Sequence, residues 1–352
     1  MSGEYATEVV HDLELMVGAS LARWNLPPDT RVRLLNLSEN ATFALEPPPA
    51  RSAAAGAPAE LILRVHRIGY SSAEEIRSEL AWITALREAQ VIETARPIPA
   101  LDGTLVQRLA SPSGRADRHA VAFERLPGAE PGQDDVLPWF ERLGAVTARM
   151  HQHARGWRLP SDFKRKRWDL AAMIGSHAYW GPWRAALGLD AAGARVFEAA
   201  LALIERRLAA YGTGPERFGL VHADLRLANL LADRKHLRVI DFDDCGFSWF
   251  MYDFASAVSF IEHDPKIPEL LEAWVRGYRT ITALARADAR EIPTFVMLRR
   301  ILLCAWLASH SEVPLAQTLG AAYTHGTLEL AEQFLRDRYL TGAARAPRLS
   351  QH

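Results

Sequence analysis

Three oxygen-bearing side chains, those of Asp224, Asn229 and Asp241, stand at intervals that could bring them together. Asp224 follows His222 by two residues, and Asn229 precedes the first of two short apolar runs that are separated by the polar turn 233–236. Asp241 ends the second run, and two such runs predict a β-hairpin with a loop of about four residues. The hairpin would bring Asn229 and Asp241 close together, with Asp224 on the loop before them.

This set of groups suits the transfer of a phosphoryl group from ATP. One carboxylate can orient an attacking hydroxyl and accept its proton, while an amide and a second carboxylate hold the Mg²⁺ that bridges the phosphates. The simpler alternative is a surface hairpin with ordinary turn carboxylates. Turn chemistry explains Asp233 but not an aspartate that ends an apolar strand, so we favour the catalytic interpretation.

The stretch 220–254 resembles the catalytic segment of the protein-kinase-like phosphotransferases. The resemblance is to the branch that contains aminoglycoside phosphotransferases, choline kinase, homoserine kinase and hydroxylysine kinase, near the bacterial stress-response and homoserine-kinase-like subgroup. The stretch 222–229 stands where those proteins have their catalytic loop, and Asp241 stands where they carry a metal-binding aspartate. The tetrapeptide 252–255, Tyr-Asp-Phe-Ala, is similar to the signature that closes the motif.

The resemblance implies a role for each residue of the set. Asp224 would be the catalytic base, Asn229 and Asp241 would ligate Mg²⁺, and ATP would donate the phosphoryl group. His222 would brace the loop rather than carry a proton. Arg226 lies two residues after the base, where protein Ser/Thr kinases keep a lysine. We expect Arg226 to stabilise the transferring γ-phosphate; the alternative is a substrate-anion contact or a surface arginine.

Several carboxylates follow the motif on the side where family members bind the acceptor. Asp243, Asp244 and Glu262 are the candidates for this contact. Clustered carboxylates suit an acceptor that carries an ammonium group, such as an amino alcohol, an amino sugar or a hydroxy amino acid. The alternative is that one of them is a second metal contact or a helix cap.

The first part of the chain carries the residues expected to bind the nucleotide. A turn that includes Ser38 and Asn40 joins two predicted strands, and it resembles the phosphate-covering turn of the small-molecule branch; an ordinary hairpin turn is the alternative. Arg64 stands on a third strand, where the family usually has a phosphate-binding lysine; an exposed strand arginine is the alternative. Glu79, on the following helix, is where the family places the acid that pairs with this cation.

The predicted fold class is α+β, with the two-lobed protein-kinase-like architecture that the resemblance implies. Residues 1–124 would form an antiparallel-sheet lobe that binds nucleotide, and residues 125–352 a helical lobe with catalytic and acceptor-binding functions. The stretch 123–128 would be the hinge, where the backbone of Glu124 and Leu126 hydrogen-bonds the adenine. The tail from 342 is predicted to be disordered.

Apolar residues at helical spacing predict most of the second half of the chain as helix. One helix, 137–153, closes with His151, which we interpret as a core residue rather than a ligand. The basic run 164–167 is interpreted as a solvated face rather than a nucleic-acid patch. The other predicted helices cover 191–211, 268–283, 293–308 and 314–339, and an opening helix covers 9–24.

Composition restricts the class of protein. The chain has 352 residues, of which 49% are hydrophobic, and its 41 basic against 42 acidic residues indicate no nucleic-acid partner. Its two cysteines, Cys245 and Cys304, offer neither a disulfide framework nor zinc-ligand spacing, which suits a reducing cytosol. The N-terminus does not read as a signal peptide, and the apolar run 301–308 is too short to span a bilayer.

These observations predict a cytoplasmic, ATP- and Mg²⁺-dependent kinase that acts on the hydroxyl of a small molecule. One alternative is a Ser/Thr protein kinase of the stress-response type, for which Arg226 is the supporting residue. The absence of a recognisable activation loop weighs against it. A second alternative is a non-catalytic nucleotide-binding module, suggested by Arg64 and by the glycine-free turn. The oligomeric state is not predicted.

Overall fold

The structure, a computed structural model, describes residues 2–37, 40–48, 60–132, 136–311 and 313–340, with side chains described from residue 8 onward. Ser38 and the tail from 342 therefore lie outside the described residues. The chain divides into two compact units. Unit 1 is Met1–Pro127 with Leu159–Lys164, and unit 2 is Gly128–Arg158 with Arg165–His352.

Unit 1 is built on an antiparallel sheet of six strands. The strands are β1 Arg31–Leu37, β2 Ala41–Glu46, β3 Leu61–Val65, β4 Pro97–Ile98, β5 Gln107–Leu109 and β6 Arg118–Glu124. Their order in the sheet is β1-β2-β3-β6-β4, and β5 pairs with another part of β6. One hydrophobic core joins β2, β3 and β6 to helix α1 (Ser2–Ser20) and to the 3₁₀ turn Leu21–Trp24 that follows it.

Helix α2 (Ala73–Glu88) follows β3 in the same unit, and its first turn explains where it begins. The Ser72 hydroxyl accepts a hydrogen bond from the Glu75 backbone N–H, and the Glu75 carboxylate accepts one from the Ser72 N–H, which is a complete capping box. The helix buries one face, which includes Ile76, Glu79 and Ile83. A charged residue on this apolar face requires a partner.

Unit 2 is mainly helical. Its helices are α3 Leu137–Gly156, α4 Leu170–Ile174, α5 Ala191–Tyr211, α6 Tyr252–Ala257, α7 Ile267–Arg279, α8 Arg286–Ser309 and α9 Pro314–Leu335. Two short sheets interrupt them. The first pairs β9 (Leu230–Ala232) with β10 (Leu237–Val239), and the second has the order β7-β11-β8 from Lys166–Arg167, Gly246–Trp249 and Phe218–Val221. The mixture of a sheet-based unit and a helical unit is the predicted α+β class.

Two glycines allow α3 and α7 to cross closely. A Cβ atom on Gly144 of α3 would overlap the carbonyl oxygen of Trp274, and one on Gly277 of α7 would overlap that of Glu141. Any larger residue would therefore separate the helices. The crossing matters for the site because His151 of α3 and Tyr278 of α7 meet there.

Helix α8 is longer than the predicted 293–308, because it begins at Arg286 and contains Pro293 in its interior. By length and composition it could cross a membrane, but 83% of its apolar window is buried within the protein, as is usual for a core helix of a soluble protein. Two buried arginines, Arg299 and Arg300, stand near its middle. Such residues require charged or polar partners inside the fold.

Candidate active site

The predicted hairpin is present as β9–β10, between Asn229 and Asp241. Its strands are antiparallel, with Leu230 opposite Val239, and the Ile240 N–H donates to the Asn229 carbonyl oxygen at 3.0 Å. Asn229 Nδ2 donates to the Asp224 side chain at 2.7 Å and to its backbone carbonyl at 2.9 Å. The structure therefore brings Asp224 and Asn229 into contact and places Asp241 one residue beyond the backbone bond that closes the hairpin.

Helix α6 fixes the loop that carries Asp224. The Asp253 carboxylate accepts hydrogen bonds from the backbone N–H of Ala223 at 2.7 Å and of His222 at 3.3 Å, and the Ser256 hydroxyl accepts one from Leu225 at 3.0 Å. These bonds hold Ala223 at φ 66°, in the left-handed region that costs free energy for a non-glycine residue. The cost indicates that the loop is held in one defined conformation.

His151 supports Asp253 from behind. It is fully buried, its Nε2 lies 2.9 Å from Asp253 Oδ2, and its Nδ1 lies 3.1 Å from the Tyr278 hydroxyl. Burial lowers the pKa of His151 despite the nearby carboxylate. Both ring nitrogens are engaged with neighbouring side chains, which agrees with the predicted core role.

His222 links the loop to the end of β10. Its Nδ1 accepts a hydrogen bond from the Asp224 N–H at 3.2 Å, so the neutral ring carries its proton on Nε2 and donates to the Ile240 carbonyl at 3.2 Å. Burial lowers the pKa of His222, which keeps the ring neutral. The contacts are those of the predicted brace between the Asp224 loop and the residue before Asp241.

The oxygen ligands fit a magnesium ion. Asn229 uses its amide nitrogen on Asp224, and its Oδ1 accepts no hydrogen bond from the described residues. Asp241 is exposed and has φ 61°, another strained non-glycine backbone. Within the described ranges no group of three or more His, Cys, Asp or Glu side chains could hold a metal. An amide and a carboxylate would suffice for Mg²⁺, which usually keeps several waters and phosphate oxygens as ligands.

Arg226 lies against the expected base. Its Nε is 3.3 Å from Asp224 Oδ2, and its side chain is 27% exposed. A partly exposed guanidinium beside the base has the mobility and charge to meet an incoming phosphate. The predicted contact with the γ-phosphate stays a prediction.

A second arginine at the base, Arg299 of α8, was not predicted from the sequence. Its Nη2 donates to Asp224 Oδ1 at 3.0 Å, its Nη1 to the Tyr252 hydroxyl at 3.0 Å and its Nε to the Ser259 hydroxyl at 3.2 Å. Burial alone would lower its pKa, but Tyr252 and then Asp224 raise the pKa overall. The sequence does contain a signal for Arg299, because two adjacent arginines interrupt an apolar helical run and buried charges need partners.

The three candidate acceptor carboxylates have different surroundings. Glu262 is 1% exposed, and its carboxylate contacts Arg300 at 2.5 Å and the Tyr323 hydroxyl at 3.0 Å. This placement argues against the predicted acceptor contact, because the carboxylate is enclosed and already paired. Asp243 is also buried, whereas Asp244 is partly exposed, and its charge helps to raise the pKa of Arg299.

The loop after Asp241 is held through its backbone. The Arg165 guanidinium donates to the carbonyl oxygens of Asp243 and of Cys245, and Trp168 Nε1 donates to that of Asp244 at 2.8 Å. Arg165 and Lys166 are both buried, so the prediction that the run 164–167 is a solvated face was wrong for these two residues. The pattern of four basic residues did not reveal that Lys166–Arg167 form a strand in a sheet with β11.

In unit 1, the predicted ion pair between β3 and α2 is present. Arg64 Nη2 lies 2.7 Å from both carboxylate oxygens of Glu79, and both side chains are buried. Buried Asn40 accepts a hydrogen bond from the Arg67 N–H through its Oδ1 at 3.1 Å. A carboxylate fixes the orientation of the Arg64 guanidinium, which is the arrangement that the resemblance associates with phosphate binding.

The expected adenine contacts at the end of β6 remain predictions. The Glu124 N–H donates to the Arg96 carbonyl at 2.9 Å, and the Glu124 carboxylate contacts Arg87 at 2.9 Å. Its N–H is therefore engaged within unit 1. Leu126 is partly exposed.

Comparison with known proteins decides the family. A model of the phosphotransferase enzyme family matches residues 34–291. The chain belongs to this family. The amicoumacin kinase of Bacillus subtilis (strain 168) is 27% identical to this chain over 259 residues. The matched region is 69% of this chain and 72% of the amicoumacin kinase.

Solved structures agree with this assignment. A microcompartment-associated aminopropanol kinase is 41% identical to this chain, with a TM-score of 0.83. The match covers 93% of this chain and 98% of the aminopropanol kinase. The amicoumacin kinase hAmiN, solved with AMP-PNP, Ca²⁺ and Ami, is 22% identical, with a TM-score of 0.73 and coverage of 95% and 97%, and shows the shared fold. The predicted family, protein-kinase-like fold and kinase activity are confirmed, as is the dependence on ATP and a divalent metal that is typical of the family. A small-molecule acceptor is likewise supported.

Proposed function

We propose that the phosphotransferase moves the γ-phosphate of ATP to the hydroxyl of a small amino alcohol. The observation that carries this proposal is the 41% identity to an aminopropanol kinase, which extends over 93% of the chain. A second line of support is the partly exposed Asp244, whose charge acts on Arg299 beside Asp224. A cationic acceptor would be attracted to this carboxylate.

Each residue of the site has a role in the proposed reaction. ATP supplies the phosphoryl group, and a bound Mg²⁺ would neutralise charge on its phosphates. Asp224 orients the acceptor hydroxyl and takes its proton as the new oxygen–phosphorus bond forms and the bond to ADP breaks. Asn229 Oδ1 and the Asp241 carboxylate would hold the metal, and Arg226, beside Asp224, would stabilise the charge on the transferring phosphate. Arg64, oriented by Glu79, contacts the α- and β-phosphates.

Among the predicted acceptor carboxylates, we assign the ammonium group of the acceptor to Asp244. It is the most exposed of the three, whereas Glu262 is enclosed with Arg300. The hydrogen bond from Trp168 to the Asp244 carbonyl oxygen holds this loop, so the backbone that carries the Asp244 carboxylate is fixed. A carboxylate held in one place favours acceptors whose ammonium group lies at the right distance from the reacting hydroxyl. An acceptor without the amine would lose this contact.

We also propose that the enzyme works in the cytoplasm, without a nucleic-acid or membrane partner. Both cysteines are buried and neither forms a disulfide, which suits a reducing compartment. The balance of 41 basic and 42 acidic residues provides no general attraction to a polyanion.

ATP turnover with Mg²⁺ against a panel of acceptors tests the proposal. The panel contains amino alcohols, the matching alcohols without the amine, hydroxy amino acids, aminoglycosides and a generic protein substrate. We expect turnover with an amino alcohol, and a loss of about 10² to 10⁴-fold in kcat for Asp224→Asn, because the base can no longer accept the proton.

Asp233→Asn is the matched control. Asp233 lies in the same hairpin, where its Oδ1 accepts hydrogen bonds from two turn N–H groups that an asparagine oxygen can also accept. Its Oδ2 pairs with Arg238 at 2.8 Å, a contact that does not involve Asp224. We expect this variant to keep its activity. Turnover only with alcohols that lack an amine would contradict the proposed acceptor, and full activity of Asp224→Asn would contradict the assigned base.

A further inference from the structure

Arg299 is enclosed on the far side of the expected base. Its side chain is 2% exposed, and each of its three guanidinium nitrogens has its own acceptor: Asp224, Tyr252 and Ser259. The rings of Trp180 and Tyr252 lie 5.1 Å and 5.7 Å from its central carbon. A guanidinium that is buried and bonded through each of its three nitrogens has little freedom to move, so it acts as a fixed point in the structure.

Only one oxygen of the Asp224 carboxylate accepts a hydrogen bond from Arg299. Oδ1 accepts from Arg299, while Oδ2 accepts from Asn229 at 2.7 Å and from Arg226 at 3.3 Å. A carboxylate offers about four acceptor positions. Contacts from the described residues therefore fill both positions of Oδ2 and one of the two on Oδ1.

We propose that Arg299 is a positioning residue, which orients Asp224 so that the remaining lone pair of Oδ1 meets the acceptor hydroxyl. This inference rests on the proposed role of Asp224 as the base. The bond to Arg299 fixes the rotation of the carboxylate, and the bond from Asn229 to Oδ2 fixes its tilt. Without Arg299 the carboxylate could turn, and a displacement of about 1 Å can cost about 10²-fold in rate.

Arg300 offers a matched control, because it is the next residue of the same helix and is equally buried. Its guanidinium contacts Glu262 and Thr327 and makes no contact with Asp224. Substitution of either arginine removes one buried charge from α8. Only substitution of Arg299 should change the geometry of the base.

The experiment compares Arg299→Gln, Arg299→Lys and Arg300→Gln in the full chain. We expect kcat to fall about 10 to 100-fold in Arg299→Gln while KM for ATP changes less than about 2-fold, because the base is displaced and the nucleotide contacts are not. Arg299→Lys should recover part of the loss, since an ammonium group can still donate to Oδ1. Arg300→Gln should lower the unfolding midpoint and leave kcat within about 3-fold of wild type. Equal losses of kcat in the Arg299 and Arg300 variants would overturn the proposal.

A measurement that does not depend on activity separates this inference from the proposed function. Urea unfolding of wild type, Asp224→Asn, Arg299→Gln and the double variant forms a double-mutant cycle. We expect the shifts in stability to be non-additive, because each substitution removes the partner of the other. Additive shifts, or coupling without any loss of kcat in Arg299→Gln, would overturn the positioning role. An Asp224→Asn enzyme with full activity would instead refute the assigned base. The double-mutant cycle would still measure the coupling between Asp224 and Arg299 in that case.

Discussion

The substitution Glu262→Gln tests whether this carboxylate binds the acceptor or stabilises the fold. Glu262 was a candidate for acceptor binding from its place after the catalytic motif, but its carboxylate is enclosed with Arg300 and Tyr323. The Tyr339 hydroxyl also donates to its backbone carbonyl. We expect Glu262→Gln to reduce stability and to leave KM for the acceptor within about 2-fold of wild type.

The magnitude follows from the burial of the pair. The side chains of Glu262 and Arg300 are 0% and 2% exposed, and their charged atoms are 2.5 Å apart. Removing one partner of such a pair leaves the other charge buried without compensation, which costs about 3 to 5 kcal/mol. The glutamine side chain of the variant keeps an oxygen that can accept from Arg300 and Tyr323, so the lower end, about 3 kcal/mol, is expected. For a unit of this size that corresponds to a fall of roughly 6 to 12 °C in Tm.

The assay combines thermal unfolding with acceptor kinetics. Glu262→Gln with Arg300→Met removes both charges, so the double variant should be more stable than the sum of the single losses indicates. Asp244→Asn serves as the contrasting variant, with a raised KM for the acceptor and little change in Tm. A Glu262→Gln enzyme that is as stable as wild type but has a tenfold higher acceptor KM would refute the structural interpretation.

Two further predictions concern the nucleotide contact and the buried histidines. Glu79→Gln should raise KM for ATP about 10-fold, because Arg64 loses the carboxylate that orients it; Glu74→Gln, an exposed position on the same helix, should not change KM. Burial lowers the pKa of His151 and His222, so the folded state takes up fewer protons than the unfolded state below pH 6.5. Stability should therefore be complete above that pH and fall as the pH decreases, by up to about 1.4 kcal/mol for each histidine at pH 5.5. Urea unfolding at pH 7.0 and 5.5 measures this, and a slope as steep in His222→Asn as in wild type would contradict it.

The features that the sequence predicted well depend on neighbours in the chain. The contact between Asp224 and Asn229 follows from a five-residue spacing, and the hairpin that ends at Asp241 follows from two apolar runs and a polar turn. Position in a short loop or turn restricts where such side chains can lie, so residue type and spacing carry most of the information.

The features that the sequence did not reveal depend on contacts between distant segments. Arg299 reaches Asp224 across 75 positions of the chain, and Arg300 reaches Glu262 across 38. Helical periodicity gives the face on which a residue lies but does not identify the segment that packs there. The basic run 164–167 was misjudged for the same reason, since the carbonyl oxygens that bury Arg165 belong to residues 243 and 245.

Helix α8 connects these observations through its two adjacent arginines. Consecutive residues of an α-helix point about 100° apart, so Arg299 can face Asp224 while Arg300 faces Glu262 and α9. Each arginine needs its carboxylate to remain buried, so the two pairs stabilise different faces of the same helix. The Glu262 pair lies outside the reaction, and its loss should lower the stability of unit 2 without displacing Asp224. A stabilising carboxylate after the catalytic motif can thus resemble an acceptor contact in the sequence and still take no part in catalysis.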